Sequence, residues 1–119
     1  MKKVFALLMA TVMVMAMFVG CGASKGGSSD GTSGPLNNDY AVYGKAVANG
    51  LELAFEEINA KGGLQFEVRA EDDEADVEPA VNAYNTLMDW GMQIMAGPTT
   101  SGSAAATAAE CAADGVFML

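Results

Sequence analysis

The stretch MQIMAGPTTSGS, residues 92–103, decides how this chain is expected to fold. Its short apolar run predicts a β-strand, and the pair Gly97-Pro98 predicts a tight turn directly after it. The alanine-rich run from Ala104 to Ala113 predicts a helix, with Ser101 or Ser103 as the N-cap. The sequence therefore indicates a strand, a turn and a helix in immediate succession.

This turn is suited to a negatively charged ligand. The first turn of a helix carries backbone N–H groups without acceptors, together with the positive end of the helix dipole. Three hydroxyl side chains, those of Thr99, Thr100 and Ser101, stand beside these groups. The arrangement favours binding of a carboxylate or a phosphate. The alternative is that these side chains only cap the helix.

Helices and strands alternate on both sides of this turn. A helix is predicted over Tyr43 to Ala60, and its apolar face is formed by Val47, Leu51, Ala54 and Ile58. Residues 64–70 alternate between apolar and polar and predict a strand. A helix over Val77 to Trp90, ended by Gly91, and a strand over Val116 to Leu119 complete the pattern.

Alternating helices and strands with short connections predict an α/β fold. Right-handed crossovers then give a doubly wound parallel sheet with helices on both faces. In such sheets, ligands bind beyond the carboxyl ends of the strands. The turn at residues 98–103 lies at one of these ends, which favours a binding role over simple capping.

The first twenty residues have the pattern of a bacterial lipoprotein signal peptide. Lys2 and Lys3 form a positive start, and the uncharged run from Val4 to Val19 is too short for a comfortable membrane span. The sequence Phe18-Val19-Gly20-Cys21 resembles a lipobox, in which the cysteine is acylated and becomes the new amino terminus. An ordinary membrane anchor with an incidental Cys21 is the alternative.

Three segments are therefore expected. Residues 1–20 form the signal peptide, and residues 21–33 form a Gly/Ser-rich flexible tether. Residues 34–119 form the globular part.

Composition excludes several classes of function. Without residues 1–20 the chain has four basic and fifteen acidic residues, a formal charge of −11, which disfavours nucleic acid as a partner. The chain has no histidine, so Ser-His-Asp and Cys-His catalysis are excluded and a zinc site is disfavoured. Cys111 is the only other cysteine, so lipid on Cys21 leaves no intrachain disulfide. The acidic run at residues 71–76 lacks the spacing of a calcium loop and indicates a solvated loop.

Several motifs together resemble the amino-terminal lobe of type I extracytoplasmic solute-binding proteins. The resemblance is to the class that serves branched-chain amino acid (Leu/Ile/Val) ABC transporters, and it runs from about Gly34 to Leu119. The motifs are Gly34-Pro35-Leu36, Asp39 to Gly44, Glu56 to Gly63, Asp72-Asp73, Ala80-Val81 and Gly97 to Gly102.

The resemblance implies a binding protein, with no catalysis and no cofactor. In that family two α/β lobes close around the ligand, and the loaded protein docks on an ABC permease in the membrane. Tyr43 matches an aromatic residue that packs near the ligand side chain, although a simple packing role is the alternative. Ser101 matches the serine that binds the amino acid carboxylate, and Thr100 and Gly102 flank it.

One departure from the family affects the expected fold. Family members have an apolar first strand before Gly34, whereas residues 28–33 here are polar. A buried parallel strand is normally a run of apolar residues, so the first strand is predicted to be missing. The second lobe is also absent, and the chain is interpreted as a fragment of a binding protein.

Other functions stay open from sequence alone. They are a sensor protein, a binder of a short amide or urea-like molecule, and a surface lipoprotein with a structural role. A flavodoxin-like enzyme is disfavoured, because the turn lacks the glycine pattern of a phosphate-binding loop.

Overall fold

A computed structural model describes residues 26–119 of the chain. The strands are β1 (Gly27–Gly34), β2 (Gln65–Asp72), β3 (Ile94–Met95) and β4 (Phe117–Met118). The helices are α1 (Ala41–Ala60), α2 (Val77–Trp90) and α3 (Ser101–Asp114). The predicted signal peptide and Cys21 lie outside the described residues. No helix within the described part is long and apolar enough to cross a membrane.

The four strands form one parallel sheet in the order β2-β1-β3-β4. The chain moves in one direction from β1 to β2 and in the other from β2 to β3 and β4. With right-handed crossovers, this reversal puts α1 on one face of the sheet and α2 and α3 on the other. Helices α2 and α3 accordingly pack against each other. The predicted α/β fold with a doubly wound parallel sheet is confirmed.

The prediction that the first strand is missing is wrong. Residues 27–33, assigned from sequence to the end of the tether, form with Gly34 a central strand. It pairs with β2 over its whole length and with β3 at Asp30 and Gly31. Backbone hydrogen bonds on both sides hold this strand, so it does not depend on apolar side chains of its own. The globular part therefore begins at β1.

Large side chains from neighbouring segments supply the apolar packing that β1 lacks. A Cβ atom at Gly31 would collide with the sulfur of Met92 and lie 3.0 Å from a methyl carbon of Leu87. Side chains alternate along a strand, so odd-numbered residues of β1 face α2 and even-numbered residues face α1. The glycine thus gives the room that these two side chains fill.

The main apolar cluster lies between the sheet and helices α2 and α3. It consists of Tyr84, Leu87, Met92, Met95 and Cys111. The Tyr84 hydroxyl donates to Asp114 Oδ2 at 2.9 Å, which joins α2 to the end of α3. Cys111 is buried in this cluster, and burial raises the pKa of its thiol, which disfavours the reactive thiolate.

Helix α1 packs on the sheet through small residues rather than through its predicted apolar face. Gly44 and Ala48 are its buried residues. Val47 and Ile58 keep 36% and 40% of their surface exposed. Glycine and alanine let the backbone of α1 approach β1 closely. The close backbone contact stabilises this orientation of the helix more than burial of Val47 and Ile58 would.

The α1 face of β1 carries two buried polar atoms without partners among the described residues. They are Asp30 Oδ2 and Thr32 Oγ1, on side chains that are 3% and 2% exposed. Burial raises the pKa of Asp30, and a hydrogen bond with Ser28 only partly opposes this. An ionised carboxylate at this place destabilises the native state.

Replacing Asp30 should therefore stabilise the protein. Asp30→Val puts a β-branched side chain between its register partners Val68 and Ile94. It should raise the free energy of unfolding at pH 7 by about 1–3 kcal/mol, since a buried unsatisfied polar group is removed. Urea unfolding measures this change.

The same substitution predicts a pH dependence. The pKa of Asp30 is higher in the folded state than in the unfolded state. Its contribution to stability is therefore fully present at a pH below the unfolded-state pKa, and it is lost as the pH rises through the folded-state pKa. The advantage of Asp30→Val should therefore grow with rising pH, and Asp30→Asn should remove only the pH-dependent part. Asp89→Asn, at an exposed position of α2, is the control. An advantage that is constant with pH would contradict a buried ionising carboxyl.

Candidate functional site

Three segments converge at the carboxyl end of β1. A Cβ atom at Gly34 would collide with Thr99 Oγ1 and lie 3.0 Å from the Cα of Gly44. A Cβ atom at Gly44 would in turn collide with the carbonyl oxygen of Pro35. Two glycines thus allow β1, the first turn of α1 and the β3–α3 turn to touch.

Hydrogen bonds to Ser33 fix the β3–α3 turn against β1. The carbonyl oxygen of Ser33 accepts bonds from the Thr99 backbone N–H at 2.9 Å and from Thr99 Oγ1 at 3.1 Å. The Ser33 hydroxyl donates to Asp73 Oδ2 at 3.0 Å on the other side. The position of the turn is therefore set by β1, and it lies between β1 and β3 where the strand order reverses. Ligands bind at this place in doubly wound sheets.

The amino end of α3 is open. Thr100 is the N-cap, and its side chain caps no backbone N–H group. Its hydroxyl instead donates to Ser103 Oγ at 3.0 Å, and Ser103 is buried. The prediction that Ser101 or Ser103 caps the helix is wrong, because both residues already lie within the helix. Ser101 and Gly102 are the first two helical residues, and both are exposed.

The three helices differ in how their positive ends are neutralised. Helix α2 has Asp76 as N-cap, with its carboxylate bonded to the Val77 N–H at 2.6 Å, and Glu78 in its first turn. Helices α1 and α3 have neither a side-chain cap nor an acidic residue in the first turn. Both begin at the carboxyl edge of the sheet, on either side of the reversal. The amino ends of α1 and α3 at this edge therefore lack the capping carboxylate that α2 has.

Tyr43 lies in the first turn of α1 with 62% of its surface exposed. Its neighbour Gly44 is in contact with Gly34, and Gly34 is in contact with Thr99. The predicted site residues of α1 and α3 thus belong to the same edge of the sheet. With so much of its surface exposed, Tyr43 is not a core residue.

At the carboxyl edge, Ser101 and Gly102 are exposed. Two clefts of about 350 and 230 Å³ lie elsewhere, one at the amino ends of β1 and β2 and one between α1 and β2. No group of three or more acidic or cysteine side chains within residues 26–119 is placed to hold a metal ion. The edge offers hydroxyl and backbone N–H groups at the start of a helix, which are donors suited to an anion.

Sequence reasoning missed the residues that build the edge rather than contact a ligand. Gly34 and Gly44 set the approach of the three segments, and Asp73 holds Ser33. Thr99 was predicted as one of three hydroxyls beside a ligand, whereas its hydroxyl donates to the Ser33 carbonyl. A glycine inside a predicted helix was the available signal at Gly44, because glycine there is unfavourable unless close packing requires it. The role of Asp73 depends on a contact with a distant strand and left no local signal.

The described residues form an α/β sheet with a helix start at its topological reversal, the place where doubly wound folds bind ligands. The sequence profile of the periplasmic binding protein family matches residues 31–119. The chain belongs to this family of extracytoplasmic solute-binding proteins.

Curated relatives agree with this assignment. The chain is 36% identical over 92 residues to the Leu/Ile/Val-binding protein BraC3 of Rhizobium johnstonii, a match that covers 75% of this chain and 25% of that protein. It is 32% identical over 92 residues to Leu/Ile/Val-binding protein homolog 2 of Brucella abortus, with the same coverage. The chain thus spans about a quarter of the length of the relatives it matches.

Solved structures share the fold. The branched-chain amino acid transporter substrate-binding protein LivJ of Streptococcus pneumoniae, in complex with isoleucine, superposes with a TM-score of 0.70 at 32% identity. The match covers 76% of this chain and 27% of that one. The resemblance to the branched-chain amino acid class, inferred from motifs, is confirmed.

The close approach of α1 to β1 predicts opposite effects of alanine at two glycines of the same helix. Gly44→Ala should lower the free energy of unfolding by about 1–3 kcal/mol, because the new methyl group overlaps the Pro35 carbonyl. A methyl group added at Gly50 would meet no other atom within 4 Å. Gly50→Ala should therefore raise the free energy of unfolding by about 0.5–1 kcal/mol, because alanine favours the helix more than glycine does. Thermal unfolding of both variants measures these changes. A stability change of the same sign in both variants would refute the close contact at Gly44.

Proposed function

We propose that this chain is part of the substrate-binding component of an ABC transporter and captures branched-chain amino acids for uptake. The observation that carries the proposal is the uncapped amino end of α3, which lies at the sheet reversal with Thr100, Ser101 and Gly102 around it. Identity of 36% to a Leu/Ile/Val-binding protein supports the ligand class.

Each proposed site residue has a distinct role. The Ser101 hydroxyl and the backbone N–H groups of Ser101 and Gly102 donate to the ligand carboxylate, and the helix dipole adds to this attraction. Thr100 orients the turn, because its hydroxyl donates to Ser103 Oγ at 3.0 Å. Tyr43 forms an apolar wall for the aliphatic side chain, which its large exposed surface suits. No cofactor or catalytic step enters this mechanism.

Capture requires a second surface. Ser101 and Gly102 are exposed at the carboxyl edge, whereas small-molecule sites bury most of the ligand surface. Because the matched relatives are about four times as long as the matched region, we assign the missing wall to a second lobe that closes over this edge. The closed form then presents its surface to the membrane permease.

The chain is proposed to act outside the cytoplasm, held at the membrane by lipid on Cys21. Removal of residues 1–20 leaves this cysteine as the amino terminus. Because β1 begins at Gly27, residues 27–33 belong to the sheet and not to a tether.

Loss of the Ser101 hydroxyl should weaken amino acid binding. In the natural protein, Ser101→Ala should reduce the affinity for L-isoleucine by about 1–3 kcal/mol, since a charged acceptor loses one donor. Isothermal titration calorimetry measures the change. Thr86→Ala removes an exposed hydroxyl from α2, bonded at 2.9 Å to Asn82 O, and is the matched control. Equal affinities of the Ser101 variant and the wild type would remove Ser101 from the site.

Lipid attachment is tested separately. Cys21→Ser should move the protein from the membrane fraction to the soluble fraction after cell lysis, because a covalent lipid supplies the membrane affinity. Cys111→Ser is the control, as this buried thiol is not the proposed attachment point. Continued sedimentation of the Cys21 variant with membranes would show that the lipobox assignment is wrong.

A further inference from the structure

A single carboxylate joins the two loops that flank the binding edge. The β1–α1 loop comprises residues 35–40, and the β2–α2 loop comprises residues 73–76. Asp72, the last residue of β2, stands between them. Its Oδ1 accepts from the backbone N–H of Leu36 at 2.9 Å and of Glu74 at 3.1 Å, and its Oδ2 accepts from Asn37 Nδ2 at 2.8 Å.

A neighbouring asparagine extends this connection towards α1. Asn38 Nδ2 donates to the carbonyl oxygen of Glu74 at 2.8 Å. Asn38 Oδ1 accepts from the backbone N–H of Tyr40, the residue before the helix, at 2.9 Å. The start of α1 is thus connected through side chains to the β2–α2 loop.

The β2–α2 loop has an unusual backbone conformation that two carboxylates stabilise. Glu74 and Ala75 have φ values of 52° and 61°, a conformation that residues with a Cβ rarely adopt. The N–H of Glu74 is bonded to Asp72, and the N–H of Ala75 is bonded to Asp73 Oδ1 at 2.9 Å. The two carboxylates therefore hold the loop in the form that meets the β1–α1 loop.

Asp72 is charged when it makes these contacts. Burial acts to raise its pKa, but the donors of Leu36, Glu74 and Asn37, together with the positive charge of Lys45, hold the pKa below its usual value. Hydrogen bonds to a charged acceptor are stronger than those between neutral groups. A neutral side chain at this position would not reproduce them.

We infer that Asp72 is a positioning residue of the binding site, which holds the β1–α1 loop and thereby fixes Tyr43 and the amino end of α1 relative to Ser101. The inference rests on the proposed amino acid site. Helix α1 has no side-chain cap of its own, so its start is fixed by the loop before it. If that loop is loose, binding must order it, and affinity falls.

The charge and the geometry can be separated by substitution. Asp72→Ala removes all three acceptor contacts. Asp72→Asn keeps an oxygen for Leu36 and Glu74 but turns an amide donor towards the Asn37 donor. In the double variant Asp72→Asn/Asn37→Asp, the amide introduced at position 72 can donate to the carboxylate introduced at position 37. The double variant thus restores the contact with its direction reversed.

The test measures the dissociation constant for L-isoleucine by calorimetry in the natural protein. Asp72→Ala should raise it at least tenfold, Asp72→Asn should raise it less, and the double variant should recover part of the loss. The melting temperature is measured in parallel. Asp76→Ala removes a carboxylate from the same loop region, where it only caps α2, and should lower the melting temperature without changing the dissociation constant.

Amide hydrogen exchange gives a readout that needs no ligand. Asp72→Ala should increase exchange at Leu36, whose N–H is bonded to the carboxylate. Unchanged affinity with a lowered melting temperature would overturn the positioning role and leave the amino acid site intact. Failure of the wild type to bind L-leucine, L-isoleucine or L-valine would instead refute the proposed function, and with it this inference.

Discussion

The fold depends on what the backbone of Ser33 and Gly34 contacts at the end of β1. The Ser33 carbonyl accepts two bonds from Thr99, and the Gly34 carbonyl accepts one from the backbone N–H of Asp73 at 3.1 Å. Gly34 also leaves room for the first turn of α1. One dipeptide thus holds the segments that follow β1, β2 and β3. The rigidity of a ligand site at this edge depends on these contacts together with the hydrogen bonds of Asp72 and Asn38 to the two flanking loops.

Local pattern predicted most of the secondary structure. The end of α2 was predicted correctly, because Gly91, in the left-handed conformation, is a strong local signal for a helix terminus. Asp76, which caps its start, was assigned to the solvated acidic loop. The α/β class followed from the alternation of elements. Strand β1 could not be predicted, because its place depends on pairing with distant strands and on side chains that α2 and Met92 supply. A polar sequence can form a buried strand when its neighbours provide the apolar surface.

The candidate site was predictable only in part. Thr100, Ser101 and Gly102 follow a strand directly and lie at the carboxyl edge, as the order of elements required. Their functional roles stay predictions, because no ligand contact is observed. The cap was misassigned since several hydroxyl residues in succession offer equivalent local choices. Asp72 was read as one member of a solvated acidic run, and its contacts with the β1–α1 loop depend on tertiary structure alone.

The polar composition of β1 also bears on the order in which the chain folds. Early collapse is driven by apolar surface, and β1 has almost none to offer, whereas α2, β3 and α3 share the Tyr84 and Met95 cluster. Both ladders of β1 join it to segments far along the sequence, so its contact order is high. We expect β1 to dock late, onto the cluster formed by α2, β3 and α3, and β2 to join the sheet by pairing with β1. The binding edge would then be complete only after the central strand β1 has docked.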